Sequence, residues 1–91
     1  MVELESDLIE FFGTECVHCE EMTPLIERVE EDLEVTIQRL ECWHNEENDQ
    51  LREQFDDGFC GSVPFFYNKK TGKKLCGSVN YDKLKEWASG E

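Results

Sequence analysis

The sequence has no run of about 18 apolar residues, the length a helix needs to span a bilayer, and it is poor in positive charge. Nine Lys and Arg stand against 22 Asp and Glu, a formal net charge of −13. Too few cations speaks against nucleic acid, whose phosphates need Lys and Arg to displace their counterions. It speaks equally against docking on an anionic membrane surface. Neither a nucleic-acid nor a membrane partner is expected, and the acid is read chiefly as a solubility device. The imbalance is uneven along the chain: six of the nine basic residues are lysines between Lys69 and Lys85, so the C-terminal third is near neutral. The opening MVELESDLIEFF has neither the basic stretch nor the apolar core of a leader. There is no internal repeat, no low-complexity segment and no linker, and 91 residues suit a single domain spanning 1–91. An even cysteine count, the mark of a disulfide-stapled secreted mini-protein, is also missing. Five cysteines favour a reducing, cytoplasmic setting.

What is present is enough for a globule, with 38% hydrophobic and 11% aromatic residues. LIEFF, residues 8–12, is a short run of strand formers with Glu10 set inside it. From Val17 to about Leu33, Met22, Leu25, Ile26, Val29 and Leu33 mark one stripe of an amphipathic helix, with Pro24 early in it, where a missing N–H bends the axis. VTIQRL, residues 35–40, alternates as a strand, and HNEENDQLREQF reads as a polar helix capped by Asn45 or Asn48, with Leu51 and Phe55 facing inward. VPFFYNKKTGKKLCGSV predicts an antiparallel hairpin turning around Lys70 to Lys73. Asn80 caps a last helix that packs down Leu84, Trp87 and Ala88. The order βαβαββα calls for a parallel pair joined through a helix, then a hairpin, with helices on both faces of the sheet.

The chemistry gathers in TECVHCEEMTP, residues 14–24. A C-x-x-C where a strand ends and a helix begins is a redox motif, because free N–H groups and the helix dipole stabilise a thiolate there. Cys16, the outer residue, is the expected attacking thiolate with some solvent exposure. Cys19, a turn deeper, is the expected resolving thiol. His18 adds positive charge when protonated and should lower the Cys16 pKa further.

These features together resemble the thioredoxin fold family in its short form, over nearly all of the chain. LIEFFGTECVHC is similar to the family's strand–loop–dithiol signature, Pro24 falls on its helix-kinking proline, SVPFF on its cis-proline loop and Gly77 on the glycine flanking its substrate groove. The resemblance implies a thioredoxin fold with a four-stranded mixed sheet and a thiol–disulfide oxidoreductase that uses no cofactor. It implies a cis Pro64 which, with the Val63 backbone and Gly77, binds substrate. It also implies that Glu10 is a buried acid under the resolving cysteine, partnered by Arg39 and able to take the Cys19 proton. Protein disulfides are the expected substrates, with a thioredoxin-reductase-like or small-thiol electron donor.

One departure from the family pattern is Glu15, which replaces the aromatic usual before the first cysteine and should raise the Cys16 pKa against His18. Cys42, Cys60 and Cys76 all fall toward the dithiol side; they read first as small buried hydrophobes, and more sharply as partners in an alternative disulfide, a dimer bridge or a soft metal site. Trp43 and His44 belong either to the rim of the site or to an ordinary loop. A non-catalytic binding module of the same fold, with zinc or an iron–sulfur cluster on its cysteines, is the contending class, although no second C-x-x-C supports a metal. A glutathione-dependent glutaredoxin-like enzyme is the weaker rival.

Overall fold

Alternation along the first strand decides the layering. β1 (Leu8–Phe12) sends Ile9 and Phe11 to one side of the sheet and Leu8 and Glu10 to the other, and all four are buried. Such a strand must be covered on both faces. In the computed structural model, which describes residues 2–90, it is followed by α1 (Val17–Leu33), β2 (Ile37–Glu41), α2 (Glu46–Asp56), β3 (Phe65–Asn68), β4 (Lys74–Cys76) and α3 (Tyr81–Ser89). The strands lie in the order β2-β1-β3-β4. β1 pairs parallel with β2, while β3 is antiparallel to both β1 and β4. This is the thioredoxin fold that the family resemblance implies.

Two clusters fill the space between layers. On one face Met22, Ile26 and Val29 of α1 and Leu84 and Trp87 of α3 close over Leu8, Ile37 and Phe66. On the other, Leu51 and Phe55 of α2 pack toward Ile9, Phe11, Cys42 and Phe65. Large apolar side chains sealed this way each contribute roughly 1.5–3 kcal/mol. Asn45, rather than Asn48, caps α2 by accepting from the Asn48 N–H, and Asn80 caps α3 through the Lys83 N–H. Strand β2 starts two residues later than its alternation predicts, because the Val35 N–H bonds back to the Glu30 carbonyl and finishes α1 instead.

The hairpin is tied to the last helix by one buried amide. Asn68 Oδ1 accepts from the N–H groups of Lys70 and Thr71, and its Nδ2 donates to the Trp87 carbonyl at 3.0 Å. Trp87 answers with its indole N–H on the Lys73 carbonyl. The turn forms where Lys70 to Lys73 predict it, and it sets β3 in the register that aims residues 63 and 64 at the end of β1.

Candidate active site

Cys16 is the N-cap of α1, a position that usually goes to Ser, Thr, Asp or Asn because a side-chain acceptor must meet free N–H groups. Here the sulfur does so: Cys16 Sγ accepts from the Cys19 N–H at 3.1 Å, while the Cys16 carbonyl takes the Glu20 N–H. The same donors stabilise negative charge on that sulfur once it is a thiolate. Cys16 and Cys19 are joined as a disulfide with Cα atoms 5.2 Å apart, one helical turn. The depth order is the expected one, but the outer thiol keeps less solvent than expected: Cys16 is 5% exposed and Cys19 1%. Between them Val17 is 65% exposed.

On β1, Glu10 is fully buried. Its Oε1 accepts from Arg39 Nε at 2.6 Å, across the parallel register that sets Glu10 opposite Arg39. Arg39 also donates to the Thr23 hydroxyl (3.2 Å), which in turn donates to the Cys19 carbonyl (3.4 Å). The carboxyl and the backbone of the resolving cysteine thus belong to one hydrogen-bonded chain. Among the described residues Glu10 Oε2 has no hydrogen-bond partner. Burial pushes the Glu10 carboxyl above its ordinary value, and the Arg39 charge and hydrogen bond offset this only in part.

His18 is exposed on α1. Its Nδ1 lies 3.0 Å from Glu21 Oε1 on the exposed side of α1, and it makes no hydrogen bond to Cys16. Glu15 likewise turns away from the thiol: both its oxygens meet His44 Nε2, at 2.8 and 2.9 Å. The Glu15 hydrogen bond and charge raise the His44 pKa above its ordinary value. Trp43 and His44 therefore belong to the rim.

Glu41 builds that rim. Its carboxylate accepts from the N–H groups of Thr14, Trp43 and His44 and from the Thr14 hydroxyl, tying the loop before the dithiol to the loop after β2. Desolvation opposes the charge on Glu41, but the His44 and Thr14 hydrogen bonds outweigh it and lower the pKa. Gly13 completes the junction: a Cβ there would come within 2.7 Å of Trp43 Cε3 and closer still to Cδ2 and Cε2. The indole lies against bare backbone and remains 51% exposed beside the dithiol loop. Sequence reasoning passed over Glu41, whose signal was only an acid at a strand end.

On the opposite bank the Val63–Pro64 peptide bond is cis, and the Val63 carbonyl is 4.0 Å from Cys16 Sγ. The Pro64 carbonyl accepts from the Gly77 N–H at 2.8 Å, and Gly77 has φ +78°, a conformation L side chains rarely adopt. The structure thus brings Val63, Pro64 and Gly77 together beside Cys16. Of the remaining cysteines only Cys42 fits the reading as a small buried hydrophobe; burial pushes its thiol up to about 12. Cys60 and Cys76 depart from it. They form a disulfide with Cα atoms 5.4 Å apart, and Cys76 is exposed. Pairing and exposure, not burial, account for both. Among the described residues no three His, Cys, Asp or Glu side chains are grouped to hold a metal ion.

The family model described as Thioredoxin matches residues 2–90. The fold is similar to the crystal structure of a glutaredoxin from Archaeoglobus fulgidus, with a TM-score of 0.68 and 21% identity, over 94% of this chain and 89% of that one. At that identity the likeness speaks for the fold alone. No curated protein matches the chain.

Proposed function

Because the chain belongs to the thioredoxin family, we propose that it is a thiol–disulfide oxidoreductase that exchanges disulfides in protein substrates through Cys16 and Cys19. The observation that carries this reading is the Cys16 sulfur at the N-cap of a 17-residue helix, accepting the Cys19 N–H at 3.1 Å. In the reduced protein the Cys16 thiolate attacks a substrate disulfide, forming a mixed disulfide and releasing one substrate sulfur as a thiolate. Cys19 then loses its proton and attacks Cys16 Sγ. The second substrate sulfur leaves, the substrate is reduced by two electrons, and the Cys16–Cys19 bond forms. Glu10 is the proton acceptor for Cys19: burial raises its pKa, which makes its carboxylate a stronger base than an exposed one.

Val63 and Pro64 offer a backbone edge to an extended substrate segment, as strands add to strands, and Trp43 supplies an aromatic surface in place of the one missing at Glu15. His18 modulates Cys16 only through its charge. A thioredoxin-reductase-like protein or a small thiol recycles the pair, and a cytoplasmic setting suits that supply. Reduction of insulin by dithiothreitol, wild type against Cys16→Ser, tests the reading. Catalysis by the wild type and none by the variant is expected; equal rates would overturn it. The reduction potential then sets the direction. About −270 mV marks a reductase, and about −120 to −180 mV an oxidase or isomerase.

A further inference from the structure

The Cys60–Cys76 bond adds a cross-link between the approach to β3 and the end of β4, strands already paired with Phe65 opposite Cys76, and both segments border the groove. Cys60 begins the stretch that reaches Val63 and Pro64; Cys76 ends β4, one residue before Gly77. The noncovalent counterpart of this link is the Gly77 N–H to the Pro64 carbonyl at 2.8 Å. The bond is open to attack, since Cys76 is exposed and Cys60 only half-buried. The loop carrying Cys60 also has its own anchor. Asp56 Oδ1 accepts from the Cys60 N–H at 2.5 Å, Asp56 Oδ2 from the Gly61 N–H at 2.6 Å, and Arg52 holds the carboxylate at 2.9 Å. Lys74 Nζ adds a bond to the Asp56 carbonyl, which puts an ammonium at the base of the same loop.

We propose that Cys60–Cys76 is a second redox centre, opened in the folded protein by a small dithiol and closed again by the corresponding cyclic disulfide, whose state sets how firmly the Val63–Pro64 loop is held against Gly77. A buried staple without other anchors opens only as the chain unfolds. This bond is exposed, and the Asp56 hub keeps its loop in place when the bond is cut. The exchange balances within the named reactants. A dithiol thiolate attacks the exposed Cys76 Sγ, the S–S bond breaks, and Cys60 leaves as a thiolate. The reductant's second thiol, deprotonated, attacks its own sulfur in the mixed disulfide and frees Cys76. Two electrons pass to the protein, the reductant becomes a cyclic disulfide, and its two protons go to the new thiolates or to solvent.

The test uses the chain with Cys16→Ser and Cys19→Ser, so that its outcome is independent of the proposed oxidoreductase activity. The variant is equilibrated in dithiothreitol without denaturant, thiols are tagged with a maleimide, and tagged sites are read by mass spectrometry. The same tagging of the wild-type chain provides the second measurement should the variant fold poorly. Buried Cys42 reports unfolding. The expected result is tagging of Cys60 and Cys76 while Cys42 stays untagged, with the Gly77 amide exchanging its hydrogen roughly tenfold faster in the reduced state. Tagging of Cys60 and Cys76 only together with Cys42 would overturn the proposal and leave a structural staple. An unchanged Gly77 exchange rate in the opened state would overturn it as well.

Discussion

Glu10 and Asp56 are both sealed from solvent, at 0% and 1% exposed, and each faces an arginine, yet their pKa values move in opposite directions. The difference lies in how many donors meet each carboxylate. Among the described residues Glu10 meets Arg39 alone and leaves Oε2 without a hydrogen-bond partner, so burial prevails and its pKa rises. Burial opposes the charge at Asp56 too, but the N–H groups of Cys60 and Gly61, joined by Arg52, outweigh it and the pKa falls. One carboxyl has its protonated form favoured in a hydrogen-bonded chain that reaches the Cys19 carbonyl, whereas the other has its anion favoured and a loop built around it.

The most disruptive way to break this contrast is Asp56→Ala. It leaves two backbone N–H groups without their acceptor and takes from the mostly buried Arg52 one of its partners, Asp49 remaining, so unfolding free energy should fall by about 3 kcal/mol in urea melts. The pH dependence separates the two acids. The folded pKa of Asp56 lies below its ordinary 3.8, so its contribution is present above that value and is lost as pH falls through the folded pKa. The folded pKa of Glu10 lies above its ordinary 4.5, so the native state holds the proton more tightly. Stability then declines as pH rises from 4.5 through the raised value, by at most about 1.4 kcal/mol per pH unit. Urea melts from pH 3 to 8 should show Asp56→Asn flattening the limb below pH 3.8 and Glu10→Gln flattening the decline above pH 4.5. If both substitutions act on the same limb, the contrast is wrong.

Glu10→Gln also separates structure from chemistry. It keeps an acceptor for Arg39 but cannot take a proton, so turnover in insulin reduction should fall on the order of 10²-fold, with stability at pH 7 held or improved. Turnover within a factor of two of wild type would remove Glu10 from the proton pathway.

How much of this was legible in the sequence tracks the distance over which each feature is built. The dithiol spans one turn, α3 announces itself through Asn80 and the Leu84, Trp87 and Ala88 stripe, and β1 through a five-residue run. All of these are local, and all stand where they were expected. Glu10 and Arg39 lie 29 residues apart, and the family resemblance, rather than any pattern in the chain, brought them together. The Cys60–Cys76 bond and the Glu15–His44 pair span 16 and 29 residues with no local signature. Cysteine parity misdirects for the same reason. An odd count counted against disulfides, yet it resolves into two pairs and one buried thiol, a division that only tertiary contact decides.

Gly13→Ala carries the comparison from the acids to the rim. The added methyl meets the Trp43 indole, which must swing away from the Glu41 junction. Overpacking of this kind costs about 1–3 kcal/mol, measured by thermal melting, and Trp43 fluorescence should shift to longer wavelength. An unshifted spectrum would mean that the indole does not depend on the bare backbone.

The smallest effect is expected at His44→Gln, which probes why Glu15 is tolerated next to the attacking thiol. Glu15 is bound to His44 on both oxygens, and its hydrogen bond and charge raise the imidazole pKa above 6.5. A protonated His44 cancels the Glu15 charge. That balance is complete below pH 6.5 and fades as pH rises through the raised value. Removing the imidazole leaves the carboxylate uncompensated near Cys16, disfavouring the thiolate. Both side chains are exposed, so the field is screened. The rate of iodoacetamide alkylation of reduced Cys16 at pH 6.5 should therefore drop by less than about threefold, and high salt should erase the difference. Combined with Glu15→Gln, the His44 substitution should have no further effect, because the two act through one charge. An equal drop in the Glu15→Gln background would show that His44 acts on Cys16 by another route.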